Sequence, residues 1–205
     1  MKKVLIYGDS NVWGDNFFTG VRIPDDEQWA NILQKSLSDY KILQEGLPGR
    51  IAGDYELEKT YKNGQRTFIA TFRSSAPIDV LIIALGTNDL QIKYQRSASE
   101  IVNDLLWYKK QVESEYQEKE NRCKYFRKGM PRIIFILPPN FDYNRKDNPV
   151  FDEKSEEKRK EIQKIFGTLE EEYLIFDNVS LFQDGIHLNP EGHKMVADIV
   201  KDKIN

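Results

Sequence analysis

Short apolar runs recur along the chain, at residues 4–7, 42–43, 80–85, 133–137 and 174–176. The clearest of them are continuous rather than alternating. A half-exposed strand would interleave polar residues, so continuous runs predict strands covered on both sides. Between them lie longer stretches with apolar residues at helical spacing. Trp29, Ile32, Leu33 and Leu37 form one stripe after Pro24, and Phe68, Ile69 and Phe72 form another within 64–75. A longer helix from about Ser97 carries Ile101, Leu105, Tyr108, Val112 and Tyr116 on one face. A charged helix over 152–172 buries Ile162, Ile165, Phe166 and Leu169. In the last helix Asn189 is the cap, Pro190 takes the first position, and Met195, Val196, Ile199 and Val200 follow. Residues 51–63 follow neither period. Strands alternating with helices predict an α/β fold, a parallel sheet with helices on both faces.

At 205 residues, with no repeat and no linker, positions 1–205 read as one domain. Lysine and arginine number 30 against 33 acids, a net charge of −3. Nucleic acid is therefore not an expected partner, because phosphate binding needs a basic face. The charged helix faces at 113–122 and 152–161 read as solvated surface. No apolar run approaches the roughly twenty residues that span a bilayer. The amino terminus is not a secretory leader, because Gly8 and Asp9 interrupt its apolar run after four residues. A single cysteine, Cys123, excludes an intrachain disulfide and a cysteine-rich zinc module. A reducing, cytoplasmic location is expected.

Function in open parallel sheets sits beyond the carboxyl ends of the strands. There the sequence places Gly8-Asp9-Ser10-Asn11, then Gly46-Leu47-Pro48-Gly49 and Gly86-Thr87-Asn88-Asp89, and in the carboxyl-terminal segment Asp184 and His187. A serine hydroxyl becomes a useful nucleophile when a base within hydrogen-bond reach takes its proton. A carboxylate must orient that base, and donors must await the oxyanion. Of the two histidines, His187 has an acid three residues upstream, whereas His193 falls in the last helix without one. Taken alone, Ser10 reads more readily as a helix cap than as a nucleophile, and Asp89 as a cap or loop anchor. No second carboxylate or Cys/His pair completes a metal site around Asp184 and His187. A phosphate-cradling glycine loop is absent from the Gly8 segment.

Taken together, these blocks resemble the SGNH hydrolases (GDSL esterases and lipases), in order along nearly the whole chain. Gly8-Asp9-Ser10 is similar to the first block, Gly49 to the glycine block, Gly86-Thr87-Asn88-Asp89 to the GxND block and Asp184-Gly185-Ile186-His187 to the DxxH block. The stretch from Glu45 to Arg50 resembles the arylesterase and acyltransferase branch. The resemblance implies a three-layer α/β/α sandwich on a flavodoxin-like five-stranded parallel sheet. It implies Ser10 as nucleophile, His187 as general base and acid, and Asp184 as its orienting carboxylate. The oxyanion hole would comprise the Ser10 and Gly49 N–H groups and the Asn88 amide, with Gly46 competing for the glycine position. Pro48 removes only its own N–H, so a Gly49 donor survives it.

Asn11, Trp13 and Phe17 are candidate pocket residues, with ordinary packing as the alternative for the aromatics. The expected activity is cofactor-free and metal-free hydrolysis of small carboxylic esters, short acyl chains preferred, through an acyl-serine. Acyl transfer or carbohydrate O-acetyl ester hydrolysis is the alternative on the same site. A non-catalytic small-ligand module is the more distant one. The aromatic loops leave a homo-oligomer open.

Overall fold

The computed structural model describes residues 1–127, 129–144 and 150–205. Five parallel strands form one sheet, β1 (Lys2–Gly8), β2 (Tyr40–Gly46), β3 (Val80–Ala84), β4 (Arg132–Ile136) and β5 (Glu172–Leu174), in the order β2-β1-β3-β4-β5. That is the flavodoxin-like order, with its topological switch between β1 and β3. The helices are α1 (Ser10–Trp13), α2 (Trp29–Ser36), α3 (Gly64–Ser75), α4 (Ala98–Gln117), α5 (Lys119–Tyr125), α6 (Glu153–Phe166) and α7 (Pro190–Ile204).

The period-two geometry of a strand explains why the apolar runs are continuous. In β1, Leu5 and Tyr7 pack with Phe68, Phe72, Leu105, Tyr108 and Phe166 of α3, α4 and α6. The intervening Val4 and Ile6 pack with Trp29, Leu33, Val196 and Val200 of α2 and α7. Both faces are covered over residues 4–7, so every position there is apolar. Three layers result, α/β/α, as expected.

Several boundaries differ from the sequence reading. Strand β2 continues through Glu45 and Gly46, because Gly46 still pairs with Gly8. The expected long helix from Ser97 is broken at Glu118, whose ψ of 116° separates α4 from α5. Helix α6 stops at Phe166, where the Gly167 N–H closes onto the Gln163 carbonyl. Strand β5 lies two residues earlier than expected. It is an edge strand, and Glu172 is held there by Arg132 of β4 at 2.6 and 2.8 Å, while Ile175 turns towards solvent. Residues 51–63 form an irregular loop, tied at its ends by a bridge between Ile51 and Asn63. Between β4 and α6, positions 145–149 lie outside the described residues. Among the described residues, no helix is long and apolar enough to cross a membrane.

Candidate active site

Strand β1 delivers the first block directly into a tight turn. Asp9 caps α1, its Oδ1 accepting the Asn11 N–H at 3.0 Å, so Ser10 is the first helical residue rather than the cap. Gly14 ends the helix after a single turn, and the N–H groups of Gly14 and Asp15 both donate to the Ser10 carbonyl, at 2.9 and 3.1 Å. Ser10 is thereby nearly buried, at 7% exposure. Its own N–H finds no acceptor among the described residues.

The carboxyl-terminal segment returns to the same place. His187 Nε2 lies 3.1 Å from Ser10 Oγ. On the other side of the ring, Nδ1 is hydrogen-bonded to Asp184 Oδ2, while Asp184 Oδ1 accepts the N–H groups of Ile186 and His187 at 3.0 and 3.1 Å. With Nδ1 protonated towards Asp184, Nε2 is left to accept from the serine hydroxyl. Burial alone would lower the His187 pKa. The hydrogen bond and charge of Asp184, with the charges of Asp15 and Asp9, override it and hold the imidazole above its ordinary value. Burial likewise opposes ionisation of Asp184, but His187 and the two backbone donors hold its carboxyl below the usual range. The buried Asp9 carboxyl is pushed up to about 6 by desolvation, against the pull of the Asn11 N–H and His187.

Asn11 does not simply line a pocket. Its Oδ1 accepts the Leu188 N–H at 2.9 Å and its Nδ2 donates to the Ile186 carbonyl at 3.4 Å. The residue after the serine therefore grips the chain on both sides of the histidine. Trp13 is half-buried beneath the Arg22 guanidinium, 5.0 Å from the ring centroid. Phe17 points outward at 47% exposure, in edge contact with Phe18, which in turn meets Phe182.

The other two blocks come from β2 and β3, the strands flanking β1. Asn88 donates from Nδ2 to the Arg50 carbonyl at 3.1 Å and accepts at Oδ1 from Gln91 at 2.9 Å. The amide is thus fixed, with its second Nδ2 hydrogen uncommitted among these bonds. Gly46 and Gly49 have different reasons to be glycine. A Cβ on Gly46 would sit 2.3 Å from the Trp13 nitrogen, so α1 packs directly onto that backbone. Gly49 has a φ of +75°, and nothing accepts from its N–H among the described residues. Asp89 is an anchor: it accepts the Ala52 N–H and, at 2.6 Å, the Tyr55 hydroxyl. His193 is remote from this chemistry, fully buried with Nδ1 accepting the Trp29 N–H at 3.3 Å.

Two participants have no signal in one sequence. Arg50 is buried, donates from Nη1 to the Gly8 and Glu45 carbonyls at 2.8 and 2.5 Å, and stacks its guanidinium 4.1 Å from the Tyr7 ring centroid. Asp15 places Oδ2 3.9 Å from His187 Nε2. No group of three His, Cys, Asp or Glu side chains among the described residues is arranged to hold a metal ion.

Comparison with known proteins agrees with this fold. Over its whole length the chain superimposes on a carbohydrate acetylesterase from Sinorhizobium meliloti, covering 98% of that chain at 25% identity and a TM-score of 0.85. It also superimposes along its whole length on the aryl esterase of M. smegmatis in its inhibitor-bound form, covering 98% of that chain at 22% identity and a TM-score of 0.85. A lipase/acylhydrolase from Enterococcus faecalis shares the fold at 16% identity and a TM-score of 0.69, with all of this chain and 95% of that one aligned. Among curated proteins no sequence relative matches. Residues 4–200 match the model of the GDSL-like Lipase/Acylhydrolase family, and the chain belongs to that family, a hydrolase of ester bonds.

Proposed function

We propose that the protein is a serine esterase working through an acyl-serine intermediate, with Ser10 as nucleophile, His187 as base and Asp184 as its orienting carboxylate. The observation that carries this reading is the continuous relay from Asp184 Oδ2 through His187 to Ser10 Oγ, closed by the 3.1 Å contact at Nε2. His187 takes the Ser10 proton as Oγ attacks the acyl carbonyl. The imidazolium is stabilised by Asp184, which stays ionised. Negative charge on the carbonyl oxygen is received by the Ser10 N–H, the Gly49 N–H and the second hydrogen of Asn88 Nδ2. His187 then protonates the leaving alcohol, and water repeats the sequence in reverse.

Short acyl groups suit this site best. The 25% identity to the Sinorhizobium carbohydrate acetylesterase favours acetyl esters of hydroxylated alcohols within that class.

Turnover of p-nitrophenyl acetate, butyrate and octanoate by the wild type and Ser10→Ala tests the reading. Rates that fall with chain length and vanish in the variant are expected, together with labelling of the wild type alone by a fluorophosphonate. Equal activity in both proteins would overturn it. Product analysis with added alcohol separates hydrolysis from acyl transfer.

A further inference from the structure

Beside the proposed oxyanion hole lies a polar cleft of about 240 Å³, bordered by Gly49 and Gln91 and by Lys59, Lys62, Lys93 and Glu56. It opens at the carboxyl edge of the sheet, between the segments that follow β2 and β3. Gly49 belongs to the glycine block, and Gln91, two residues past the asparagine block, donates from Nε2 to Asn88 Oδ1. The Lys62 stem lies against Gly49 so closely that a Cβ there would fall 2.5 Å from Nζ and 3.1 Å from Cε. Glycine at this position thus serves the turn and also leaves room for the ammonium group.

Charge in the cleft is unevenly satisfied. Glu56 is engaged on both oxygens, accepting the Tyr94 hydroxyl at 2.6 Å and the Glu58 N–H at 3.1 Å, with Lys93 Nζ at 3.9 Å. Glu58, also on the rim, is exposed. The half-buried Lys62 has neither a hydrogen-bond acceptor nor a carboxylate within 4.0 Å among the described residues. Burial, and then the charges of Lys59 and Lys93, pull its ammonium below the ordinary lysine range. A partly desolvated ammonium whose one opposing charge, Glu56, makes no ion pair with it is costly unless an anion completes it.

We propose that this cleft is an anion subsite of the ester-binding site, and that the preferred ester carries a carboxylate or phosphate which pairs with Lys62 as its carbonyl enters the hole beside Gly49. The assignment rests on the esterase reading above, and it narrows the substrate from esters in general to anionic ones. Lys62 is a specificity-determining residue here, with Lys59 and Lys93 supplying long-range attraction at the mouth.

The test compares kcat/KM for charged and neutral esters of matched shape. Mono-p-nitrophenyl glutarate against p-nitrophenyl hexanoate places the charge on the acyl side. 4-Acetoxybenzoate against its methyl ester places it on the alcohol side. The wild type should favour one charged ester over its neutral partner by on the order of tenfold, mainly through KM. Lys62→Met should abolish that ratio, Lys62→Arg should keep most of it, and 0.5 M salt should weaken it by screening. Stabilisation by inorganic phosphate, read as a shift in Tm, should fall in Lys62→Met and survive in Lys62→Arg. No preference in the wild type, or a preference untouched by Lys62→Met, overturns the subsite even if phosphate binds. Failure of all four esters, with phosphate binding still dependent on Lys62, would instead strike the esterase reading and leave an anion site standing.

Discussion

His187 Nε2 and Ser10 Oγ meet at 3.1 Å although 177 positions separate them in the chain. A neighbouring base is what turns an ordinary hydroxyl into an attacking group. Ser10→Ala should therefore lower ester turnover by on the order of 10³–10⁶ with Tm unchanged within a few degrees, since among the described residues its hydroxyl bonds only to the His187 ring. Steady-state kinetics beside a thermal melt would show it; a folded variant losing under tenfold would contradict the role.

Asn88 reaches the Arg50 carbonyl with one amide hydrogen and leaves the other uncommitted among the described residues. Asn88→Ala should cost roughly 10²–10³ in kcat if that second hydrogen meets the oxyanion. KM for p-nitrophenyl acetate should move far less. A loss confined to KM would assign the amide to ground-state binding.

Asn11→Ala should act on rate through position. It strips the acceptor from the Leu188 N–H, whose side chain is 3% exposed, and frees the Ile186 carbonyl. The expected effects are about 1–3 kcal/mol of stability and about 10–100-fold in kcat. Denaturant melts and kinetics on the same preparation check both. Full activity in Asn11→Ala would show that the loop holds itself.

The pH profile carries a sign that can be worked out in advance. Attack needs neutral His187, whose pKa is raised above 6.5 by Asp184, Asp15 and Asp9 against burial. Activity should climb with pH through a midpoint above 6.5 and then level. Asp15→Asn removes one of the three charges, so its midpoint should move down towards neutral-imidazole behaviour, with little change in the plateau rate. A midpoint that stays put would mean that Asp15 is screened from the ring.

Asp9 offers a stability test with the opposite partner. Its pKa is near 6 in the folded chain and near 3.8 when unfolded, so the native state binds more protons between those values. The contribution is fully present below about pH 3.8 and is lost as pH rises through about 6. Asp9→Asn keeps an oxygen to cap α1 while discarding the buried charge. Relative to wild type it should gain on the order of 1–3 kcal/mol at pH 8 and nothing at pH 4. Urea melts at the two pH values decide it.

Much of this architecture is legible in the sequence because burial on both faces leaves a plain mark. The strands at Val4–Tyr7 and Val80–Ala84 are found from it, as are the helix over Gly64–Ser75 and the Asn189 cap. What eludes reading is set by partners far along the chain. Strand β5 looks polar at Glu172 because its stabilising neighbour is Arg132, forty positions away. The 51–63 loop has no period because its order comes from Asp89 and from Tyr108, whose hydroxyl donates to the Ala52 carbonyl at 2.7 Å.

The site divides in the same way. Ser10, Asn88, Asp184 and His187 stand in recognisable blocks, and Asp184 and His187 are near enough in sequence to suggest their contact. Arg50 is different: its guanidinium sits on Gly8 and Glu45 carbonyls while its own carbonyl holds Asn88. Nothing in the spacing of charges reveals an arginine folded beneath the first turn. Asn11 seemed a lining residue because its neighbour is the serine, and only the third dimension shows it facing the histidine loop.

That grip has an evolutionary side. The gap between attacker and base is gauged by Asn11, one step from the serine, rather than by the length of the 177–186 segment that carries Asp184 back. A change in that segment that leaves the Ile186 and Leu188 bonds to Asn11 intact leaves the spacing of the pair to the same amide.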